Sequence, residues 1–202
     1  MLRSTADIKD QLLRGLAVST SVSSDFDLNS NYKNITFKSP REAAVLMAVQ
    51  IINDQPHIIL TKRTAALKYH PGQIAFPGGK VEAEDADVFS TALREAKEEI
   101  GLPSDKVEVL GSLTPHITIT GFRIAPIIGL VSGTVALRRQ QSEVDEIFLV
   151  PLSFLTDPRN YYVRARLDFG KCRKYYTVPY GPYYIWGATA RMLRGLAERL
   201  QK

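Results

Sequence analysis

Cysteine is nearly absent from this sequence, since Cys172 is the only one in 202 residues. A single thiol excludes an intrachain disulfide and any zinc site that needs two or more cysteines. A reducing compartment is consistent with this composition, although a secreted protein without disulfides would have the same one. We therefore expect a cytoplasmic protein.

Long apolar runs are also missing. The chain has no stretch of 18 apolar residues, and residues 1–15 lack the apolar core of a signal peptide, so we expect no membrane partner. The net charge of +5 comes from basic residues spread along the chain, and we expect no nucleic-acid partner. This charge favours anionic substrates such as phosphate esters, or else serves only solubility.

Hydrophobic periodicity predicts helices and strands that follow one another without regular βαβ alternation. This order is typical of an α+β fold with a mixed sheet flanked by helices. We divide the chain into an N-terminal helix with an irregular segment (1–39) and one main domain that includes a C-terminal helix (40–202). The predicted helices span 5–18, 86–100 and 187–200, and the predicted strands span 42–52, 56–63, 74–76, 107–110, 122–131, 146–150, 161–169 and 174–179.

The predicted helix over 86–100 carries an unusual acidic strip. At about 100° per residue, Glu95, Glu98 and Glu99 fall within one arc, and Glu99 lies at the edge of the apolar stripe. Like charges at this spacing cost roughly 0.2–0.5 kcal/mol each, and a hard cation such as Mg²⁺ or Mn²⁺ would relieve that repulsion. A solvated face with local ion pairs is the alternative. We expect Asp85 to cap this helix and Gly101 to end it.

Two glycines precede the helix in the run Phe76-Pro77-Gly78-Gly79. Glycine lets the backbone approach a ligand closely, so a carbonyl or amide group of this loop can join a binding site. A simple tight turn is the other interpretation.

Together, these residues resemble the Nudix box: Gly, five residues, Glu, seven residues, then Arg-Glu-aliphatic-x-Glu-Glu-x-Gly-aliphatic. The half from Arg94 to Leu102 is intact except that Ala96 takes the aliphatic position. After Gly79 and five intervening residues, the chain has Asp85 where the box has Glu. Eight residues then separate Asp85 from Arg94, one more than usual.

The longer spacing is similar to that of the coenzyme A diphosphatase branch of the Nudix family. That branch has an upstream signature, roughly Leu-Leu-Thr-x-Arg-Ser-x-x-x-Arg-x-x-x-Gly-x-x-x-Phe-Pro-Gly-Gly, and residues 59–79 match it with Thr64 in place of Ser and Lys68 in place of Arg. Weaker likeness extends over about 40–200.

The resemblance implies an α/β/α sandwich with the Nudix fold, and Mg²⁺ or Mn²⁺ as the cofactor. It implies hydrolysis of coenzyme A or acyl-CoA to 4′-phosphopantetheine and adenosine 3′,5′-bisphosphate. Two alternatives stay open: a Nudix pyrophosphohydrolase for another nucleotide (a nucleoside triphosphate, ADP-ribose or a dinucleoside polyphosphate), and a non-catalytic Nudix protein that binds a nucleotide or RNA as a regulator. A homodimer stays an open alternative to a monomer.

The resemblance also implies residue roles. The expected metal ligands are Gly79, Glu95, Glu98, Glu99 and Glu143, with Glu146 as a substitute for Glu143. The expected catalytic residues are Glu99, Glu143 and Arg94, of which Arg94 orients Glu95 or pairs with Asp85. The expected substrate-binding residues, each with a plain surface role as the alternative, are Arg63, Lys68, His70, Gly72, Gln73, Gly78 and Lys80. The tyrosines of 161–184 stack on an adenine or simply pack within strands.

Overall fold

A computed structural model describes residues 4–29, 37–67, 69–168 and 171–201. The helices in these ranges are α1 (Thr5–Ala17), α2 (Val88–Ile100), α3 (Leu152–Leu155) and α4 (Gly187–Leu200). The strands are β1 (Ser23–Ser24), β2 (Arg41–Ile52), β3 (Gln55–Arg63), β4 (Ile74–Ala75), β5 (Gly78–Lys80), β6 (Val107–Ser112), β7 (His116–Ile117), β8 (Phe122–Val131), β9 (Val144–Pro151), β10 (Tyr162–Asp168), β11 (Lys171–Tyr180) and β12 (Tyr183–Trp186).

The larger sheet is mixed and is built around β2, an apolar strand buried on both faces. β2 runs parallel to β8 and antiparallel to β3, and the strand order is β1-β7-β8-β2-β3-β4. In addition, β5 pairs with β2, β6 with β8, and β9 with β3. A parallel pair at the centre of antiparallel neighbours confirms the predicted mixed sheet.

β2 changes partner along its length. The β2–β3 hairpin turns at Asn53 and Asp54, which both have positive φ (49° and 59°), as a tight hairpin turn requires. β3 pairs only with the last part of β2, from Val49 onward, while β5 pairs with the first part at 43–45. The chain of β5 therefore lies in the gap where β2 and β3 separate, directly in front of α2.

Helices cover both faces of this sheet. On one face, Ala92, Ala96 and Ile100 of α2 pack with Leu46 and Ile127 of the sheet. On the other face α1, α4 and a second sheet, of order β10-β11-β12, share one apolar cluster with the strands. The predicted α+β fold, an α/β/α sandwich, is confirmed.

The N-terminal helix belongs to this core. Ile8 and Leu12 of α1 are fully buried in the cluster that also holds Leu193 and Leu196 of α4. Ser4 and Asp7 form a reciprocal capping box that fixes where α1 begins. Within the described ranges, no helix is both long enough and apolar enough to cross a membrane.

Most predicted elements are observed, with one wrong cap. α2 begins at Val88, and its N-cap is Asp87, whose carboxylate accepts from the Ser90 amide at 2.8 Å. The prediction that Asp85 caps the helix was wrong because Arg94 binds that carboxylate. Gly101 ends the helix in the left-handed conformation, as predicted. The end of the predicted strand 161–169, at residue 169, and part of the irregular segment, residues 30–36, lie outside the described residues.

Candidate active site

The two glycines of β5 lie so close to α2 and β2 that neither position has room for a side chain. A Cβ atom on Gly78 would lie 2.4 Å from the carbonyl oxygen of Ala44. A Cβ atom on Gly79 would lie 2.2 Å from Oε1 of Glu95. The absence of side chains at both positions thus brings the backbone of this loop into contact with the glutamates of α2.

Glu99 is the buried member of the acidic strip, with 3% of its surface exposed. Its Oε2 atom accepts from the Gly78 amide at 3.3 Å, and its Oε1 atom lies 3.6 Å from Nη1 of Arg63. Burial raises the pKa of Glu99 to about 7; Arg63 and the Gly78 amide oppose this rise, while the charges of Glu95 and Glu143 add to it. The predicted position of Glu99 at the edge of the apolar stripe is confirmed.

Glu95 and Glu98 lie nearer the solvent, and both accept hydrogen bonds from the guanidinium group of Arg94. The Nη1 atom of Arg94 donates to Glu95 at 3.1 Å and to Glu98 at 3.2 Å. Burial raises the pKa of Glu95; Arg94 lowers it, and the negative charges of Glu98 and Glu143 raise it further. The side chain of Glu98 is 59% exposed, so the strip runs from a buried carboxylate to one on the rim.

Arg94 is fixed from its other side by Asp85. Nε and Nη2 of Arg94 donate to the two oxygens of Asp85 at 2.9 and 3.0 Å, and Nη2 also donates to the Lys80 carbonyl at 3.2 Å. Asp85 additionally accepts from the Glu82 amide and the Thr91 hydroxyl. The hydrogen bonds from Arg94, above all, hold the pKa of Asp85 below its usual range. This bidentate pair ties the glycine loop to α2.

A loop before β9 brings Glu143 to the same place. The Gln140 amide donates to the Glu99 carbonyl at 2.8 Å, and the Thr64 amide donates to the Glu143 carbonyl at 2.9 Å. The negative charge of Glu143 raises the pKa of both Glu95 and Glu99, so its carboxylate interacts electrostatically with theirs.

Glu146 points elsewhere. It accepts a hydrogen bond from the hydroxyl of Tyr183, whose ring stacks on Phe148 with centroids 3.6 Å apart. Phe148 belongs to the apolar cluster on the face opposite α2. Of the two acidic residues that the sequence offered, Glu143 is the one beside the strip.

Arg63 reaches Glu99 because β3 is irregular at its end. The register between β3 and β9 shifts between Lys62 and Arg63, and such a bulge redirects the side chain that follows it. The buried Nε atom of Arg63 finds no hydrogen-bond partner among the residues that the structure describes. A buried guanidinium donor beside a carboxylate cluster is well placed for a phosphate oxygen.

The loop that follows Arg63 folds back on it. The Gly72 amide donates to the Arg63 carbonyl at 3.1 Å, and the Arg63 amide donates to the Gln73 carbonyl at 2.9 Å. His70 is exposed, and its Nδ1 atom lies 3.0 Å from Oε1 of Gln73. The structure thus gathers Arg63, His70, Gly72 and Gln73 into one loop.

Of the two remaining predicted substrate-binding side chains, only Lys80 lies within the described residues, and it is not part of this cluster. Lys80 is exposed, with its Nζ atom 6.0 Å from the ring centroid of Phe122. Lys68 lies outside the described residues.

The carboxylates of α2 and the carbonyl of Gly79 are oxygen ligands of the kind that a hard divalent cation binds. In this structure, arginine side chains pair with those carboxylates. Within the ranges that the structure covers, no group of three or more His, Cys, Asp or Glu side chains is arranged to hold a metal ion. The glutamates face Arg94 and Arg63 instead. Carboxylates that raise one another's pKa beside a glycine backbone offer the oxygen ligands that Mg²⁺ and Mn²⁺ prefer.

Two positioning contacts had no signal in the sequence. The backbone of Arg138 and Gln140 binds the carbonyls of Ile100 and Glu99, which fixes the Glu143 loop to the end of α2. The register shift next to Arg63 comes from pairing between β3 and β9, which are distant in sequence. Neither contact follows from residue type or spacing.

Comparisons of the sequence and of the structure with known proteins point to the same family. The NUDIX domain family matches residues 41–166. The chain is 39% identical over 161 residues to an uncharacterized Nudix hydrolase NudL of Photorhabdus laumondii, covering 80% of this chain and 86% of that protein. It is 38% identical over 160 residues to the same-named protein of Salmonella paratyphi B, covering 79% and 83%. The crystal structure of a MutT/nudix family protein from Enterococcus faecalis superposes with a TM-score of 0.53 at 16% identity, over 100% of this chain and 76% of that one, and thus shares the fold.

Proposed function

Because this chain belongs to the Nudix hydrolase family, whose members are pyrophosphohydrolases of nucleotide-like substrates, we propose that its substrate is coenzyme A or an acyl-CoA. One observation carries this proposal: the upstream signature over 59–79 occurs together with the eight-residue spacing between Asp85 and Arg94. The products would be 4′-phosphopantetheine and adenosine 3′,5′-bisphosphate.

Glu95, Glu98 and Glu99, with the carbonyl of Gly79, would hold Mg²⁺ or Mn²⁺. The close approach of Gly79 to Glu95 and the raised pKa values of Glu95 and Glu99 support this assignment. When bound, the cation neutralises charge on the diphosphate and lowers the pKa of the attacking water. To accept it, Glu99 would turn away from Arg63, which would leave that guanidinium group free for a phosphate oxygen, while Arg94 would keep Glu95 in place.

Glu143 would accept the proton of the attacking water. Its negative charge acts on Glu95 and Glu99, yet it is exposed and belongs to a different element, so it can face the water while α2 binds the metal. A bond forms between the water oxygen and one phosphorus, and the bond from that phosphorus to the bridging oxygen breaks. The bridging oxygen leaves on the second phosphate, so each half of the substrate keeps one phosphate.

Arg63 would hold the diphosphate. Its Nη1 atom is 3.6 Å from Glu99 and its buried Nε atom needs an acceptor, so a phosphate oxygen beside the metal would satisfy the guanidinium. The folded-back loop of His70, Gly72 and Gln73 would close on the same phosphates from the other side of Arg63.

A second substrate class is favoured by one departure from the signature. Lys68 replaces the arginine of the branch, and lysine cannot give a phosphate the two-pronged contact of a guanidinium. ADP-ribose, dinucleoside polyphosphates and nucleoside triphosphates share the diphosphate and the nucleoside with coenzyme A, so the same centre would accept them.

A panel assay separates these substrates. The wild-type protein is incubated with each compound in Mg²⁺ or Mn²⁺, and the products are resolved by chromatography. We expect coenzyme A or acyl-CoA to give the highest kcat/KM, and Glu99→Gln to lose about 10²-fold or more of it. Glu198→Gln, on the exposed face of α4, is the matched control and should keep full activity. Brisk hydrolysis of another nucleotide without turnover of coenzyme A would reject the proposal.

A further inference from the structure

The loop over residues 64–73 is attached to the candidate active site at both of its ends. At its start, the Thr64 amide donates to the Glu143 carbonyl at 2.9 Å. At its end, the Gly72 amide donates to the Arg63 carbonyl at 3.1 Å. The loop therefore begins and ends within hydrogen-bonding distance of two residues of the site.

Tyr69 lies in the middle of this loop, and 68% of its surface is exposed. Among the residues that the structure describes, no other aromatic side chain is as exposed. Tyr162 and Tyr184, at 49% and 46%, belong to the second sheet, on the face of the main sheet opposite α2. An exposed ring alone is ordinary on a protein surface, so it is the place of Tyr69 beside the site that needs a reason.

The backbone next to Tyr69 is held in one conformation. His70 has a φ of 56°, which is unfavourable for a residue with a Cβ atom. The Gln73 amide donates to the His70 carbonyl at 3.3 Å, and Nδ1 of His70 lies 3.0 Å from Oε1 of Gln73. Strained residues that their surroundings fix in this way are concentrated at sites that bind ligands.

This turn keeps Tyr69 within reach of a substrate at the acidic strip. Three peptide units separate Tyr69 from Gly72, so their Cα atoms are at most about 11 Å apart, and the turn at His70 shortens that distance. Gly72 is hydrogen-bonded to Arg63, whose guanidinium group lies 3.6 Å from Glu99. A nucleotide has one sugar between its base and its phosphates. With its phosphates at Arg63, it therefore brings its base to the middle of this loop.

The composition of the loop suits an anionic ligand. It contains no Asp or Glu, and the first acidic residue after Arg63 is Glu82. A negatively charged nucleotide that lies along the loop therefore meets no carboxylate of the loop itself.

We propose that the ring of Tyr69 stacks on the nucleobase of the substrate and so orients its nucleoside half. Every base has a π-face, and stacking on an aromatic side chain binds bases without hydrogen-bond recognition. This inference rests on the proposed function, because in coenzyme A the base is adenine and only the adenosine half carries one. The pantetheine half, on the other side of the diphosphate, extends away from the 64–73 loop.

Binding of the two product halves tests this directly, because the measurement needs no turnover. Calorimetric titration of the Mg²⁺-loaded protein gives the Kd of adenosine 3′,5′-bisphosphate and the Kd of 4′-phosphopantetheine. In Tyr69→Leu we expect the first Kd to rise about 10-fold, the effect of losing one stacked base, and the second to stay within about twofold of the wild type. Tyr69→Phe keeps the ring and should bind both compounds as the wild type does.

Leu167→Ala is the matched control. Leu167 is 78% exposed on β10, so this change removes an exposed apolar side chain from the second sheet and should leave both Kd values unchanged. Circular dichroism and the melting temperature show whether each variant is folded. An unchanged Kd for the bisphosphate in Tyr69→Leu, or an equal rise for both compounds, would overturn the inference.

Turnover separates this inference from the substrate assignment. Tyr69→Leu should raise the KM for coenzyme A about 10-fold while kcat stays within about twofold. If another nucleotide is hydrolysed instead of coenzyme A and its KM shows the same rise, the base stacks on Tyr69 and only the substrate assignment is wrong. If coenzyme A is hydrolysed with the same KM by both proteins, the substrate assignment holds and Tyr69 has no part in binding.

Discussion

The Nη1 atom of Arg63 lies 3.6 Å from the Oε1 atom of Glu99, and this contact joins the end of β3 to the buried side of α2. A carboxylate that is 3% exposed would be an uncompensated charge without such a partner. The effect of burial on the pKa of Glu99 nevertheless exceeds the opposing effect of Arg63, because the pKa is raised to about 7. In the metal-free protein, Glu99 therefore keeps its proton at a pH where an ordinary glutamate has lost it.

This raised pKa predicts a pH-dependent stability. Between about 4.5 and about 7 the folded protein binds a proton at Glu99 that the unfolded chain does not, so the free energy of unfolding falls as pH rises through that window. The full loss is on the order of 3 kcal/mol. We expect urea unfolding of the metal-free wild type at pH 5 and pH 8 to show this loss relative to Glu99→Gln. Parallel pH profiles for the two proteins would contradict the pKa assignment.

Gly79→Ala tests the contact between the glycine loop and α2. The added Cβ atom would lie 2.2 Å from Oε1 of Glu95, so Glu95 must move. A displacement of about 1 Å at a catalytic group lowers activity about 10²-fold, which is the loss in kcat/KM that we expect. Gly195→Ala is the control, because its Cβ atom would come no closer than 3.4 Å to the side chains around it. Gly195→Ala should keep activity and raise the free energy of unfolding by about 0.5–1 kcal/mol. A fully active Gly79→Ala enzyme would show that Glu95 has no fixed role.

Asp85→Asn tests how Arg94 is positioned. The Asp85 carboxylate accepts two hydrogen bonds from Arg94, and Arg94 in turn holds Glu95. Without that carboxylate, Arg94 would no longer position Glu95, so the apparent affinity for Mg²⁺ should fall about 10- to 100-fold. Activity measured against Mg²⁺ concentration should recover at saturation to within a few-fold of the wild type. Asp157→Asn is the matched control, because Asp157 makes a similar pair with Arg159 in the turn after α3. A lower kcat with unchanged Mg²⁺ dependence would place Asp85 in the chemical step instead.

Glu143 and Glu146 provide a paired comparison on one segment. Glu143 is close enough to Glu95 and Glu99 to raise their pKa values, whereas Glu146 is hydrogen-bonded to Tyr183. Glu143→Gln should lower kcat at least about 10²-fold, within the range for loss of a general base. Glu146→Gln should stay within a few-fold of the wild type. The reverse order of effects would make Glu146 the acidic residue that acts in catalysis.

Much of the fold was predictable because it depends on local patterns. The strand predicted over 42–52 and the terminal Gly101 of α2 both appear in the structure where the local pattern indicates. The strand at Gly78–Lys80 was missed, because glycine has low strand propensity and only the separation of β2 and β3 creates a place for it.

The candidate site was predictable in its residue types and less so in its arrangement. Helical spacing placed Glu95, Glu98 and Glu99 on one strip, and Glu99 is buried as that spacing indicates. The choice between Glu143 and Glu146 depends on which face of the sheet each side chain meets. That depends on strand register and on the Tyr183 contact, which local sequence does not encode.

The central claim is that the acidic strip of α2 and the carbonyl of Gly79 bind a divalent cation. A crystal of the protein grown with Mn²⁺ and adenosine 3′,5′-bisphosphate, measured at a wavelength where manganese scatters anomalously, tests this directly. The account predicts an anomalous peak about 2.0–2.2 Å from carboxylate oxygens of Glu95 and Glu99, with Arg63 turned to a phosphate. No peak at the strip, with the three glutamates still bound to Arg94 and Arg63, would contradict it.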